Sequence, residues 1–178
     1  IKNGLNRIAN ITKSLFEFSH RINSSPSQTK EYIDVHQLID ETLNVLSQKS
    51  FSAIKVNKRY KENLPKILDL GLSHIVINII KNALDAMPEG GMLEVSTALN
   101  NSNLEIIFKD TGIGIRDEVM EHIFEPFFTT KAVGKGSGLG LAICNEIIHK
   151  YEGEIRVQSL ADEGSSFAIS IPLKYCRD

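Results

Sequence analysis

The sequence predicts an α+β fold, with helices on one face of a mixed sheet and one bundle-type helix ahead of it. Three observations predict it. Apolar residues recur at helical spacing in Val35–Gln48, Gly71–Met87 and Gly138–Tyr151. Short alternating runs lie between these stretches, among them Met92–Ala98 and Leu104–Lys109 around Asn100-Asn101-Ser102, a hairpin signal. A further periodic stretch, Ile1–Ile22, stands apart behind the linker-like Asn23-Ser24-Ser25-Pro26-Ser27-Gln28.

Taken in order, residues 1–22 carry Ile1, Leu5, Ile8, Ile11, Leu15, Phe18 and Ile22 at spacings of three and four, an apolar seam of the coiled-coil or bundle kind. One short helix cannot bury such a seam alone. It calls for an upstream helix, a second copy of the chain, or both; the alternative is docking on this chain's own core. Residues 23–29 form a linker and residues 30–178 a domain. In that domain Tyr32–Asp34 reads as a short strand. Val35–Gln48 follows as a helix with Leu38, Ile39, Thr42, Leu43 and Leu46 on one face, then strands at Ile54–Tyr60 and Lys66–Asp69. Gly71–Met87 is the main helix, ended by Pro88 and Gly90-Gly91. A hairpin, a short helix over Arg116–Ile123, a loop over residues 124–137, a helix over Gly138–Tyr151 and strands at Gly153–Gln158 and Ser166–Pro172 complete it.

Composition narrows the function. A chain of 178 residues can bury a proper core. A net charge of −2 argues against a nucleic-acid-binding surface. No apolar run approaches a membrane span and no signal peptide is visible, so the expected location is cytoplasmic, with no membrane contact by this chain. Because the sequence begins at Ile1 rather than Met, we expect a piece of a longer protein that could itself be membrane-anchored. Cys144 and Cys176 lack metal-type spacing and read as reduced thiols.

Four spaced segments carry chemistry. Asn78 and Asn82 stand one turn apart on one face of the main helix. A buried Asn in an apolar helix is costly unless its amide finds partners, and an amide oxygen suits a hard cation such as Mg²⁺. Asp110-Thr111-Gly112-Ile113-Gly114-Ile115 ends a strand in a carboxylate followed by glycines, which let backbone approach a ligand. Phe124-Glu125-Pro126-Phe127-Phe128-Thr129-Thr130-Lys131 leads into Gly134-Lys135-Gly136-Ser137-Gly138-Leu139-Gly140-Leu141, which opens a helix. A helix N-terminus offers free N–H groups to phosphate. This run is neither a Walker A loop nor a dinucleotide fingerprint.

In this order the segments resemble the N box, first glycine box, F box and second glycine box of the sensor histidine kinases, over roughly residues 30–173. The resemblance implies the Bergerat ATP-binding fold, a two-layer α/β sandwich. It implies ATP and Mg²⁺ as ligands, with Asn82 on the metal, Asn78 reaching phosphates or metal-bound water, and Asp85 among the ATP-binding residues. Asp110 would read the adenine amine, with Gly112, Ile113, Gly114 and Ile115 around the base. Phe124, Phe128, Thr129, Thr130, Lys131 and Lys135 would belong to the lid, and Gly136, Ser137, Gly138, Leu139, Gly140 and Leu141 to its return. Gly164-Ser165-Ser166-Phe167 resembles the small third glycine element, placing Ser166 in the site, and reads equally as a plain hairpin turn.

Three differences from related proteins matter. The related gyrase, Hsp90 and MutL ATPases place a Glu where this chain has Asn78, and an amide cannot take a proton from water. Asn78 therefore points to phosphoryl transfer rather than hydrolysis. None of His20, His36, His74, His122 and His149 is followed by an acidic residue, as the family's phosphoacceptor is. The acceptor is expected on a preceding helix, with residues 1–22 as the second helix of the dimerisation and phosphotransfer bundle. A response-regulator receiver domain and a homodimer through that bundle are the implied partners. Many family members carry an aromatic where this chain has Ala86, so adenine is expected against Ile113 and Ile115. The rival readings are a hydrolysing ATPase of the same fold, a non-catalytic ATP-binding module, and a serine kinase of the mitochondrial dehydrogenase-kinase type.

Overall fold

A computed structural model describes residues 31–47, 53–100, 102–132 and 136–177. The expected bundle helix over residues 1–22 lies outside the described residues. The elements run β1 (Tyr32–Ile33), α1 (Val35–Ser47), β2 (Ile54–Arg59), β3 (Lys66–Leu68), α2 (Leu72–Asp85), β4 (Gly91–Leu99), β5 (Asn103–Asp110), α3 (Asp117–Met120), α4 (Gly140–Lys150), β6 (Glu154–Leu160), β7 (Gly164–Pro172) and β8 (Cys176–Arg177).

Five strands form the main sheet in the order β2-β4-β5-β7-β6. All neighbours are antiparallel except β2 and β4, which pair in parallel from Ile54 opposite Gly91 to Arg59 opposite Ser96. The sheet is mixed, as the sequence predicts. The parallel pair follows from its connection: a parallel neighbour needs a long crossover, and the chain between β2 and β4 supplies α2. β2 is an edge strand, and exposed Lys55, Lys58 and Arg59 discourage further pairing.

Strand alternation decides what each face does. Leu93 and Val95 of β4, Leu104, Ile106 and Phe108 of β5, and Phe167, Ile169 and Ile171 of β7 are buried. They share one core with Ile75, Val76, Ile79 and Ile80 of α2 and Ile143, Ile147 and Ile148 of α4. The opposite set is polar: Glu94 lies opposite Lys109, and Arg156 reaches Glu105 at 3.3 Å. A sheet with one buried and one solvated face is the ordinary antiparallel solution.

The structure differs from the sequence reading in three places. β1, β3 and β8 form a second, antiparallel sheet that local periodicity did not suggest. The short helix spans only Asp117–Met120, because the chain then turns through i+3 bonds, His122 to Val119 and Glu125 to His122, to bury Ile123. α4 starts at Gly140, two residues later than expected, because Gly138 is left-handed at φ 68° and its carbonyl is taken by the Phe127 amide.

The small sheet is fastened by one phenol. Tyr151 is fully buried, donates its hydroxyl hydrogen to the Leu68 carbonyl at 2.8 Å and accepts the Leu70 amide at 2.8 Å. Tyr175 meets the ring edge-on at 5.5 Å. These contacts set the entry to α2, and burial pushes the Tyr151 hydroxyl pKa well up. Tyr151→Phe keeps the ring and strands two backbone groups, so it should cost about 1–3 kcal/mol. Urea unfolding should show a lower midpoint at unchanged slope.

Candidate nucleotide site

Asp110 ends β5 at a buried position, 3% exposed. A carboxylate is placed there only if its oxygens are bonded. Its Oδ1 accepts the Gly112 amide at 2.9 Å and the Ser165 amide at 3.3 Å. Burial raises its pKa above the ordinary aspartate value, and those amides oppose the shift by stabilising the anion. Both of these bonds fall on Oδ1.

The turn after Asp110 is seated from two sides. Ile113 donates its amide to the Ala86 carbonyl at 3.1 Å, and the Ala86 amide donates to the Asn82 carbonyl at 3.0 Å. The carboxylate turn therefore rests on the C-terminal end of α2, one turn beyond Asn82. Gly112 admits this approach, since a Cβ there would come 2.6 Å from the Ala86 oxygen. From the other side, Gly164 has φ 97° and lies against the Asp110 carbonyl, where a Cβ would overlap it. Ser159 Oγ ties the same layer together, accepting the Ile115 amide at 2.8 Å and donating to the Gly164 carbonyl at 2.7 Å.

Asn78 and Asn82 are both half-buried on the flank of α2. Asn78 Nδ2 donates to the Gly140 carbonyl at 3.3 Å, which holds its amide against the first turn of α4. Gly140 makes this closeness feasible, since a Cβ there would stand 3.2 Å from Asn78 Oδ1. Asn82 Oδ1 instead accepts a hydrogen from Lys131 Nζ at 3.0 Å, and Asp85 Oδ2 meets the same ammonium at 2.6 Å. Two α2 oxygens thus converge on one cationic group, a donor set that also suits a hard cation such as Mg²⁺. No group of three or more His, Cys, Asp or Glu that could hold a metal occurs among the described residues. A cation here would rest on Asn82, Asp85 and oxygens brought by a ligand.

The lid residues stay outside the core. Phe127 is 53% exposed and left-handed at φ 69°. Phe128 is half-buried against the His122 ring at 5.5 Å. Phe124 is half-buried, and Thr129 and Thr130 are exposed. Phe127 donates its amide to the Gly138 carbonyl at 2.9 Å, which closes the base of the lid. Ser137 Oγ accepts the Leu139 amide at 3.3 Å just ahead of α4. Leu139 is buried and Leu141 half-buried, so the start of α4 is anchored in the core.

The structure therefore brings Asn82, Asp85 and Lys131 into one cluster, Asp110, Gly112, Ile113 and Gly114 into a second, and Asn78 with Gly140 into a third, all around α2. Ile113 is 62% exposed and Ile115 half-buried. Lys135 lies outside the described residues. Ser166 alternates to the solvent-side face of β7, whereas Ser165, on the Phe167 face, supplies the amide to Asp110. Sequence reasoning missed Ser165 and Ser159; the period-two count through Phe167, Ile169 and Ile171 was the signal that could have found Ser165. Cys144 is buried beside Asn78 and its thiol is pushed up to about 12 by burial, so it is no nucleophile.

Comparison with known proteins agrees with this architecture. The family model described as histidine kinase-, DNA gyrase B-, and HSP90-like ATPase matches residues 68–175. Sporulation kinase C of Bacillus subtilis (strain 168) is 35% identical over 159 residues, covering 88% of this chain and 34% of that protein. The chain spans about a third or less of the length of the curated relatives it matches. Among solved structures, the mycobacterial sensor histidine kinase MprB superposes with a TM-score of 0.70 at 28% identity, over 81% of this chain and 97% of that one. Histidine kinase ThkA in complex with response regulator protein TrrA gives a TM-score of 0.72 at 25% identity, over 96% of this chain and 48% of that one. On the match over residues 68–175, this chain belongs to the histidine kinase-, DNA gyrase B- and HSP90-like ATPase family, with sensor histidine kinases among the proteins it is similar to.

Proposed function

We propose that this chain is the ATP-binding catalytic domain of a protein-histidine kinase, passing the γ-phosphoryl group of ATP to a histidine outside this chain. The observation that carries the transfer reading is Asn78. Its neutral amide stands at the first turn of α4, bonded to Gly140, at the position where the related ATPases hold a Glu. An amide cannot deprotonate water, so the site lacks the base that hydrolysis needs at that point.

The residues divide the work. Asp110 reads the adenine amine through the acceptor capacity of Oδ2, while Gly112 and Ser165 hold its other oxygen. Asn82 and Asp85 would hold Mg²⁺, which when bound would neutralise phosphate charge. The amides at the start of α4 would address the phosphates. What this chain contributes is positioning and electrostatics. None of the five histidines is followed by an acidic residue, in keeping with an acceptor elsewhere. We assign residues 1–22 to the dimerising bundle and a response-regulator receiver as the downstream acceptor; ThkA, a structural relative, is known in complex with such a protein. A cytoplasmic location fits these roles, and among the described residues no helix is long and apolar enough to cross a membrane.

The direct test uses γ-labelled ATP on the longer protein that contains this chain. Acid-labile, base-stable label should appear and should fall at least tenfold in Asn82→Ala or Asp110→Ala. Steady release of phosphate without label would favour the ATPase reading instead.

Nucleotide recognition is checked on this chain alone. Asp110→Asn retains an oxygen for the Gly112 and Ser165 amides but places a donor where the adenine amine needs an acceptor. Calorimetry should show ATP binding weakened about tenfold or more, with the thermal midpoint changed little.

A pH profile follows from the raised Asp110 pKa. Burial favours the protonated form, so this group adds to stability at low pH and that contribution is lost as pH rises through its folded pKa. Binding runs the other way, because only the anion accepts from adenine. ATP affinity should fall on acidification at a pH above the ordinary aspartate range, while circular dichroism still reports a folded chain. In Asp110→Asn that acid limb should vanish.

A further inference from the structure

Lys131 reaches across 49 residues of sequence to touch α2. Its ammonium stands 2.6 Å from Asp85 Oδ2 and 3.0 Å from Asn82 Oδ1, with the Lys131 and Asp85 side chains each 34% exposed. Ion pairs this exposed add little to the stability of a fold. The local chain nonetheless shapes itself around this one. Thr129 Oγ1 accepts the Lys131 amide at 3.2 Å. Gly136 leaves room for the stem, since a Cβ there would come 3.3 Å from Lys131 Cβ and Cδ and 2.7 Å from Thr129 Oγ1. Thr129 and Gly136 therefore flank Lys131 where it meets the Asn82 and Asp85 oxygens.

We propose that Lys131 is a cationic latch: its ammonium occupies the divalent-cation position in the nucleotide-free protein and ties the lid to α2 until the metal displaces it. The inference rests on the reading of Asn82 and Asp85 as the cation ligands. The physical ground is competition. A lysine ammonium and a hard divalent cation seek the same oxygens, and two positive groups cannot share Asn82 Oδ1 at contact distance. Arrival of the metal with a nucleotide frees the ammonium, and a released lysine is then available to phosphate. One residue thus couples metal arrival to lid release, so that the lid lets go only when both parts of the ligand are present.

The test is a Mg²⁺ titration of ADP binding to this chain, read by calorimetry; ADP removes any contact between Lys131 and a γ-phosphate. Lys131→Met keeps the stem and deletes the charge, and should lower the Mg²⁺ concentration for half-maximal binding about fivefold. Made together with Asp85→Asn, Lys131→Met should have nearly no further effect, because Asp85 holds the latch. Hydrogen exchange on the nucleotide-free chain gives a second readout: the amides of Phe128 and Lys131 should exchange faster in Lys131→Met and in Asp85→Asn than in the unaltered chain. Equal Mg²⁺ midpoints in the unaltered chain and Lys131→Met would overturn the latch. So would equal shifts with and without Asp85, which would mark a general loss of positive charge. Failure of the cation-site reading looks different: ADP binding to the unaltered chain would not respond to Mg²⁺ at all, and the latch would fall with it.

Discussion

The hydrogen bond from the Ile113 amide to the Ala86 carbonyl joins the two halves of this molecule's chemistry. On one side of it stands a buried carboxylate at the end of β5. On the other stands the last turn of α2, with Asn82 and Asp85. Together with the Thr111 bonds to Met92, this bond fixes the Asp110 turn against the end of α2. Its formation requires that no side chain project from Gly112 toward Ala86 and that α2 end where it does. The Pro88 break and the left-handed bend at Gly90 thus belong to the site as much as Asp110 does.

Asp110 shows how a costly group is kept buried. Desolvation opposes its charge, and amides from two separate segments, the Gly112 turn and the β6–β7 hairpin, reduce that cost. Those segments are far apart in sequence and meet because β5 and β7 are neighbours in the sheet. The hairpin needs Gly164 at its bend, where a side chain would overlap the Asp110 carbonyl. Gly164-Ser165 is therefore both part of a hairpin turn and a buttress of the carboxylate.

α2 divides its circumference between stability and chemistry. Leu72, Ile75, Val76, Ile79, Ile80, Ala83 and Leu84 face the core, and the polar flank carries Asn78, Asn82 and Asp85. The two asparagines, equivalent by spacing, have different partners: Asn78 is held by α4 and Asn82 by the lid. A contact to the start of α4 and a contact to a lid side chain thus sit one turn apart on the same flank.

Much of this protein was legible in its sequence because short-range physics writes short-range patterns. Helical periodicity located α1, α2 and α4 to within a few residues, and alternation located β4 to β7, since burial on one face selects apolar residues at the period of the element. Asn78, Asn82, Asp110 and the glycines stood out because each breaks that pattern with a group that needs a partner. What the sequence could not carry is pairing between distant segments. The parallel register of β2 on β4, the small sheet of β1, β3 and β8, the Tyr151 clamp, the Ser165 amide on Asp110 and the grip of Lys131 on Asn82 and Asp85 join residues far apart in sequence, as far as Lys66 and Arg177. No local period records such partners. Tertiary packing selects them, because buried donors and acceptors must be satisfied by whatever the chain's path brings within reach.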